Sequence, residues 1–185
     1  MENIYDRTIK IPEGIHVKTE NNTLEITGKG GSETKKFINP RLEITVENNE
    51  LNLRLKKNHK ASIKDKTFIN SLVSVIKSIF YGIENGYDAK LKICSGHFPM
   101  NVSIQDHTII IKNFLGEKVP RKAVLNKDVN IKVNGDIIEI TGINKEKVGQ
   151  AAARIEQLTR ITNKDRRVFQ DGCYITEKPR IIKNE

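Results

Sequence analysis

The sequence predicts an α+β protein of two tandem duplicated domains, each an antiparallel β-sheet packed against one α-helix, followed by an extended C-terminal arm. Three observations carry that reading. Apolar residues alternate with a period of two in paired runs, the period lengthens once in each half to the helical value of about 3.6, and the order of these runs occurs twice along the 185 residues.

In the first half Ile15 and Val17, then Leu24 and Ile26, flank the turn-forming pair Asn21-Asn22 and form a half-buried hairpin. A polar loop, 28–36, leads to a second hairpin in which Leu42, Ile44 and Val46 face inward, Asn48-Asn49 turn, and Leu51, Leu53 and Leu55 return. After a basic connection, Phe68, Leu72, Val75, Ile76, Ile79 and Ile83 fall on one helical stripe. Ser62 suits the N-cap, Asp65 follows three residues on, and Gly82 and Gly86 mark the stop.

The second half repeats this order. Pro12 corresponds to Pro99, Ile15 and Val17 to Val102 and Ile104, and Leu24 and Ile26 to Ile109 and Ile111. Leu42, Ile44 and Val46 correspond to Val129, Ile131 and Val133; Leu51 and Leu53 match Ile138 and Ile140 beyond an Asn134-Gly135 turn. Asn144 caps a helix whose stripe is Val148, Ala151, Ala152, Ile155, Leu158 and Thr162. A sheet with one apolar face buries it against the helix that follows, so the expected domains are an N-terminal repeat over 1–84 and a C-terminal repeat over 85–162. Residues 163–185 have no sustained period and are expected to be a basic arm that orders on a partner, anchored by Phe169 and Tyr174.

Thirty-two Lys and Arg against 23 Asp and Glu give a net charge of +9, which favours an anionic partner, most commonly nucleic acid. The only cysteines, Cys94 and Cys173, are too few for a disulfide framework or a four-cysteine zinc site, and both are expected as reduced thiols. The first residues lack a signal pattern, and the longest apolar run, 72–83, is interrupted by Lys77 and falls short of the roughly 20 residues a membrane span needs. The expectation is a soluble cytoplasmic protein with no membrane partner.

Nothing in the sequence commits the chain to catalysis. G-K-G-G-S at 28–32 lacks P-loop spacing and leads to a strand, so a flexible basic loop with Lys29, Lys35 and Lys36 is expected in its place. Cys94, His97, His107 and Cys173 have no ligand spacing, Cys94 is expected to be a buried structural thiol, and His97 to orient the turn before Pro99. No cofactor, metal or small-molecule substrate is expected. The basic residues do cluster: Lys56, Lys57 and Lys60; Lys112, Lys118, Arg121, Lys122 and Lys127; and Arg160, Lys164, Arg166 and Arg167. Aromatic residues are few and no strand carries a spaced pair of exposed rings, so recognition through the shape and backbone of folded RNA is expected.

Three blocks in order, H-F-P-M-N at 97–101, N-F-L-G-E-K at 113–118 and N-K-D-R-R-V-F-Q-D-G-C-Y-I-T-E at 163–177, resemble the universal large-subunit ribosomal protein six family. The likeness is greatest to its eukaryotic branch, where the protein is numbered nine. First-domain loops depart from that branch, with K-N-H-K-A-S-I-K and G-K-G-G-S-E-T-K-K where it carries aromatic, Pro and Arg residues.

The resemblance implies a structural constituent of a 60S-type large ribosomal subunit in cytosolic translation, bound to large-subunit rRNA near the sarcin-ricin loop and stalk base, beside neighbouring large-subunit proteins. Carried onto this sequence, it implies RNA contact by Lys112, Asn113, Lys118, Arg121, Lys122, Lys164, Arg166, Arg167, Lys178 and Arg180, with Phe114, Leu115 and Gly116 shaping the loop. Two alternatives stay open on the same residues: a free-standing RNA-binding or chaperone module, and an RNA hydrolase using Cys94, His97 and Asp106.

Overall fold

The computed structural model describes residues 6–20, 23–37, 39, 41–47, 49–56 and 62–182; the expected Asn21-Asn22 turn, Asn48, Lys57 and Lys60 lie outside them. The chain divides into two compact units, Met1–Glu84 and Asn85–Glu185. Among the described residues both are α+β, with antiparallel strands and one α-helix each.

The first unit runs β1 (Arg7–Lys10), β2 (His16–Glu20), β3 (Thr23–Gly28), β4 (Gly31–Lys36), β5 (Leu42–Glu47), β6 (Glu50–Leu55) and α1 (Ile63–Asn85). Its strands divide between two sheets, β1-β6-β5 and β2-β3-β4. Alternation places Leu24 and Ile26 of β3 and Leu51 and Leu53 of β6 out of solvent.

The expected polar loop at 28–36 is instead strand β4, paired with β3 from Thr23↔Lys36 to Gly28↔Gly31. None of its six residues is a large apolar one and only Glu33 is buried, so its alternation is invisible to a hydrophobic pattern. The glycines before it serve packing. A Cβ on Gly30 would lie 2.2 Å from the Ile83 carbonyl oxygen, and one on Gly28 would lie 2.5 Å from Ile83 Cγ2, so the hairpin can approach α1 only without side chains there.

Helix α1 begins where expected. Ser62 Oγ donates to Asp65 Oδ2 at 2.8 Å and the Ser62 amide donates to the same oxygen at 3.0 Å, a capping box that closes on itself. Ile69 takes the buried place expected of Phe68, and the chain passes helically through buried Gly82 to stop at Gly86, φ +77°.

The second unit runs β7 (Tyr87–Cys94), β8 (Asn101–Gln105), β9 (Thr108–Lys112), β10 (Arg121–Val124), β11 (Val129–Asn134), β12 (Ile137–Gly142), α2 (Lys145–Leu158) and β13 (Gly172–Ile181). Its sheets, β8-β9-β10 and β7-β12-β11, reproduce the strand orders β2-β3-β4 and β1-β6-β5 of the first unit. Leu91, Ile109, Ile111, Phe114, Ile138, Ile140, Val148 and Ile155 fill one core. Asn144 caps α2 by accepting from the amides of Glu146 at 2.8 Å and Lys147 at 3.4 Å. The helix stops at Leu158, one turn short of the expected Thr162, because Thr159 turns inward: its hydroxyl accepts from the Cys173 amide at 2.9 Å.

Strand β13 is what the second unit has in addition. The segment read as an arm awaiting a partner is extended, but its backbone pairs with β7 of its own chain, from Gly172↔Cys94 to Ile181↔Tyr87. Exposure alternates along it from Tyr174 to Arg180, but its half-buried positions include Glu177 and Pro179, so no hydrophobic period reveals it; the pairing shifts register between Ile175 and Glu177 and again between Glu177 and Arg180. The amide of Ile175 donates to Glu156 Oε1 at 3.1 Å, so α2 satisfies two β13 amides with the side chains of Thr159 and Glu156. Phe169 packs on the core as expected of an anchor, whereas Tyr174 is 41% exposed. Cys94, expected buried, is half-buried; Cys173 is fully buried. Among the described residues no helix is long and apolar enough to cross a membrane.

Candidate nucleic-acid interface

The chain leaves β9 at Lys112 and makes a single tight turn, Phe114–Gly116, before β10 begins at Arg121. Three residues there have left-handed backbone, Asn113 at φ 59°, Leu115 at φ 49° and Gly116 at φ 79°. For Leu115 that conformation costs about 1–2 kcal/mol, which the surrounding contacts must offset. They are present: Phe114 is buried in the core, Asn113 Nδ2 donates to the Pro99 carbonyl at 3.0 Å, and a Cβ at Gly116 would sit 3.6 Å from the Phe98 ring. Two blocks separate in sequence are therefore one built corner.

Arg121 completes it from inside. Its Nε and Nη2 donate to the two carboxylate oxygens of Glu117 at 2.8 and 2.5 Å, and Nη1 donates to the carbonyls of Leu158 at 2.8 Å and Arg160 at 3.3 Å. The guanidinium also lies 4.2 Å from the centroid of Phe114. Hydrogen bonding from Arg121 holds the Glu117 carboxyl below its ordinary range, although burial opposes it. Expected as an RNA contact, Arg121 is thus engaged on every nitrogen with the loop and the end of α2. Lys112, Lys118 and Lys122 around it are exposed and have no acidic partner among the described residues.

A second corner joins the first block to the third. The carboxylate of Asp171, itself buried, accepts from the amides of Gly96 and His97 and from His97 Nδ1, the last at 3.1 Å. The His97 ring lies 5.0 Å from Phe169, and the Lys164 ammonium 4.7 Å from the same ring. His97 orients the turn before Pro99, as expected, but its partner Asp171 carries no sequence signal beyond a turn-forming Asp-Gly. Asp106 of the imagined hydrolase stands at the β8–β9 turn, while His97 is held by Asp171. Among the described residues no three His, Cys, Asp or Glu side chains group as a metal site. Burial, with the nearby Cys94 charge, pushes the Cys173 thiol up to about 12, which makes it inert.

The remaining cations sort by partner. Arg167 donates from Nε and Nη2 to the carboxylate of Asp165, whose pKa it lowers, and its side chain is 90% exposed. Arg180 meets Glu177 at 2.6 Å and Asp88 at 3.6 Å. Arg166 and Lys178, with Arg160 and Lys127, have no acidic partner among the described residues. Arg166 also lines a cleft of about 640 Å³ with Cys94, Ser95, His97, Gln170 and Tyr174. The sequence locates these cations and leaves their pairings open; Glu117 and Arg121, four apart, and Glu177 and Arg180, three apart, are close in sequence but stand on no helix that would signal a pair.

The family described as Ribosomal protein L6 matches residues 98–172, which span the first corner and include Asp171 and Phe169 of the second. The chain is similar to the large ribosomal subunit protein uL6 of Methanobrevibacter smithii, 40% identical over 170 residues that cover 92% of this chain and 94% of that protein. The uL6 proteins of Methanosarcina mazei, 39% identical over 93% of this chain and 96% of theirs, and of Haloquadratum walsbyi, 36% over 92% and 94%, are similar to the same extent.

Proposed function

The chain belongs to the ribosomal protein L6 family, and from that membership we propose that it is a structural constituent of the large ribosomal subunit, bound to its RNA. The observation that carries the reading is relatedness over nearly the whole length, 92% of this chain, to a protein named for that subunit. The role this implies is structural, not enzymatic.

RNA contact falls on the second unit. Lys112, Lys118 and Lys122 meet phosphates from a loop that Asn113, Phe114 and Arg121 hold in shape, and Lys164, Arg166 and Lys178 add charge from the segment after α2. Arg167 and Arg180, each with a carboxylate already in place, contribute from the guanidinium edges left over. The sequence resemblance supports a finer location beside the sarcin-ricin loop and stalk base of a 60S-type subunit, next to other large-subunit proteins.

Sedimentation of a cell lysate tests the reading. At low salt the protein comigrates with large subunits and leaves little at the top of the gradient; recovery wholly at the top under those conditions overturns it. Hydroxyl-radical cleavage of the RNA from a probe attached beside Lys118 tests the finer location, with cuts elsewhere in the subunit removing it.

A further inference from the structure

We propose that the cleft beside Tyr174 seats one unstacked nucleotide of the RNA, its base against the exposed Tyr174 ring and its phosphate on Arg166. This deepens the ribosomal reading and rests on it.

The cleft of about 640 Å³ adjoins a hollow of about 290 Å³ lined by Glu156, Gln157, Thr159, Arg160 and Ile161, and the two share Arg166 and Tyr174 as common walls. Each is of the order that small ligands occupy, about 300–1,000 Å³. A ring left 41% exposed between two hollows, on a strand otherwise integrated into its sheet, is not there to fill the core.

The ring is also fixed in place. A Cβ at Gly172 would lie 3.2 Å from Tyr174 Cζ and from its hydroxyl, so glycine lets the ring lie flat along its own strand. Its hydroxyl donates to the Asp171 carbonyl at 3.4 Å. A rigid aromatic plate with one free face costs little entropy when a base stacks on it.

The rim supplies what a nucleotide needs. Arg166 has no acidic partner among the described residues, and its charge reaches Tyr174, where it opposes the rise in hydroxyl pKa that burial and nearby Cys94 and Asp171 impose. Ser95 and His97 line the cleft, and Gln170, whose amide nitrogen donates to the Arg167 carbonyl, keeps its oxygen for a base edge. A base inside a duplex has no face to offer, so the occupant is a bulged or loop nucleotide. Recognition here therefore includes one stacked base, which the scarcity of aromatic residues in the sequence argued against.

Ultraviolet irradiation of large subunits carrying the protein, followed by digestion and mass spectrometry, tests this without any variant. A nucleotide adduct on the peptide 168–180 is expected; adducts confined to peptides containing Lys112 to Lys122 overturn the proposal and leave the ribosomal reading standing. Absence of the protein from the large-subunit peak fails the ribosomal reading itself. Binding of full-length protein to deproteinised large-subunit rRNA gives the second measure. Tyr174→Phe keeps wild-type affinity, and Tyr174→Ala loses about tenfold with an unchanged salt slope. Arg166→Gln lowers that slope by about one counterion. An unaltered affinity for folded Tyr174→Ala, as a carboxylate from a neighbouring protein on Arg166 would give, sinks the nucleotide assignment.

Discussion

At Arg121 an ion pair, two backbone carbonyls and an aromatic face converge on one guanidinium. The Glu117 pair is partly exposed and contributes well under about 1 kcal/mol after solvent screening, so the bonds to the end of α2 and the stacking on Phe114 dominate. Arg121→Gln is expected to cost about 1–3 kcal/mol in urea unfolding, and Lys122→Gln, on an exposed residue one position away, less than about 0.5. Equal midpoints for the two variants would return Arg121 to the set of RNA-facing cations. Because Arg121 depresses the folded-state pKa of Glu117, the pair's contribution is present above the unfolded value near 4.3 and is lost as pH falls through the lower folded value. Cys173 works in the opposite direction. Its folded pKa of about 12 lies above the unfolded value near 8.5, so its contribution is complete below about pH 8.5 and is lost as pH rises towards the folded value. The wild type should lose up to about 1.4 kcal/mol per pH unit more than Cys173→Ala between pH 9 and 11, read as the difference between their thermal unfolding curves.

Strand β13 decides between two views of the last residues. If they were an arm ordered only by RNA, removing everything after Gln170 would leave the isolated protein unchanged. Because β13 covers an edge of β7 and carries the caps from Thr159 and Glu156, that truncation should unfold the second unit cooperatively, seen as lost amide protection across β7 and α2. Protection equal to wild type would refute the integrated strand. The same strand shows where sequence reading reached its limit. The duplicated hairpins and both helices were legible because Leu24, Ile26, Leu51 and Leu53, and their counterparts Ile109, Ile111, Ile138 and Ile140, place buried apolar residues two apart. Strand β4 was not, since Gly31–Lys36 is polar on both faces, and β13 was not, since Glu177 and Pro179 stand at its half-buried positions. At the site, the positions of the cations were legible and their engagement was not. Glu117, Asp165, Asp171 and Glu177 select which basic side chains are held, and all four come from loops or from the unread strand, where no hydrophobic period announces them. In G-K-G-G-S the glycines read as freedom for a ligand; Gly30 meets the backbone of Ile83 instead. Gly30→Ala should therefore destabilise the first unit by about 1–3 kcal/mol, with amide exchange in the second unit unaffected.

Across the whole molecule, a net charge of +9 says little about where an anion docks, because Lys and Arg without a carboxylate partner among the described residues occur in both units. Those of the second unit include Lys112, Lys118 and Lys122 beside one corner and Lys164 and Arg166 beside another, each corner built by residues far apart in sequence: Asn113 with Pro99 in one, His97 with Asp171 in the other. The duplication explains how such corners arise. One strand-and-helix plan is used twice, and the second copy gains a strand and a segment, 159–171, with no counterpart in the first. Charge and shape are separable on this scaffold, which permits a test that stability measurements alone do not. Lys118→Gln, Lys122→Gln and Arg166→Gln together remove three unpaired cations and no core contact, so unfolding midpoints should stay within about 1 kcal/mol of wild type. Affinity for deproteinised large-subunit rRNA should fall, and the slope of log affinity against log salt should decrease in magnitude by about 2–3, since each neutralised phosphate contributes about 0.7–0.9. A control that replaces Lys18, Lys35 and Lys56 of the first unit also removes three positive charges and gives the molecule the same net charge. If binding depended on net charge alone, both triple variants would change the slope equally. If the second-unit corners are the docking surface, only the first does, and equal slopes would remove those corners from the interface.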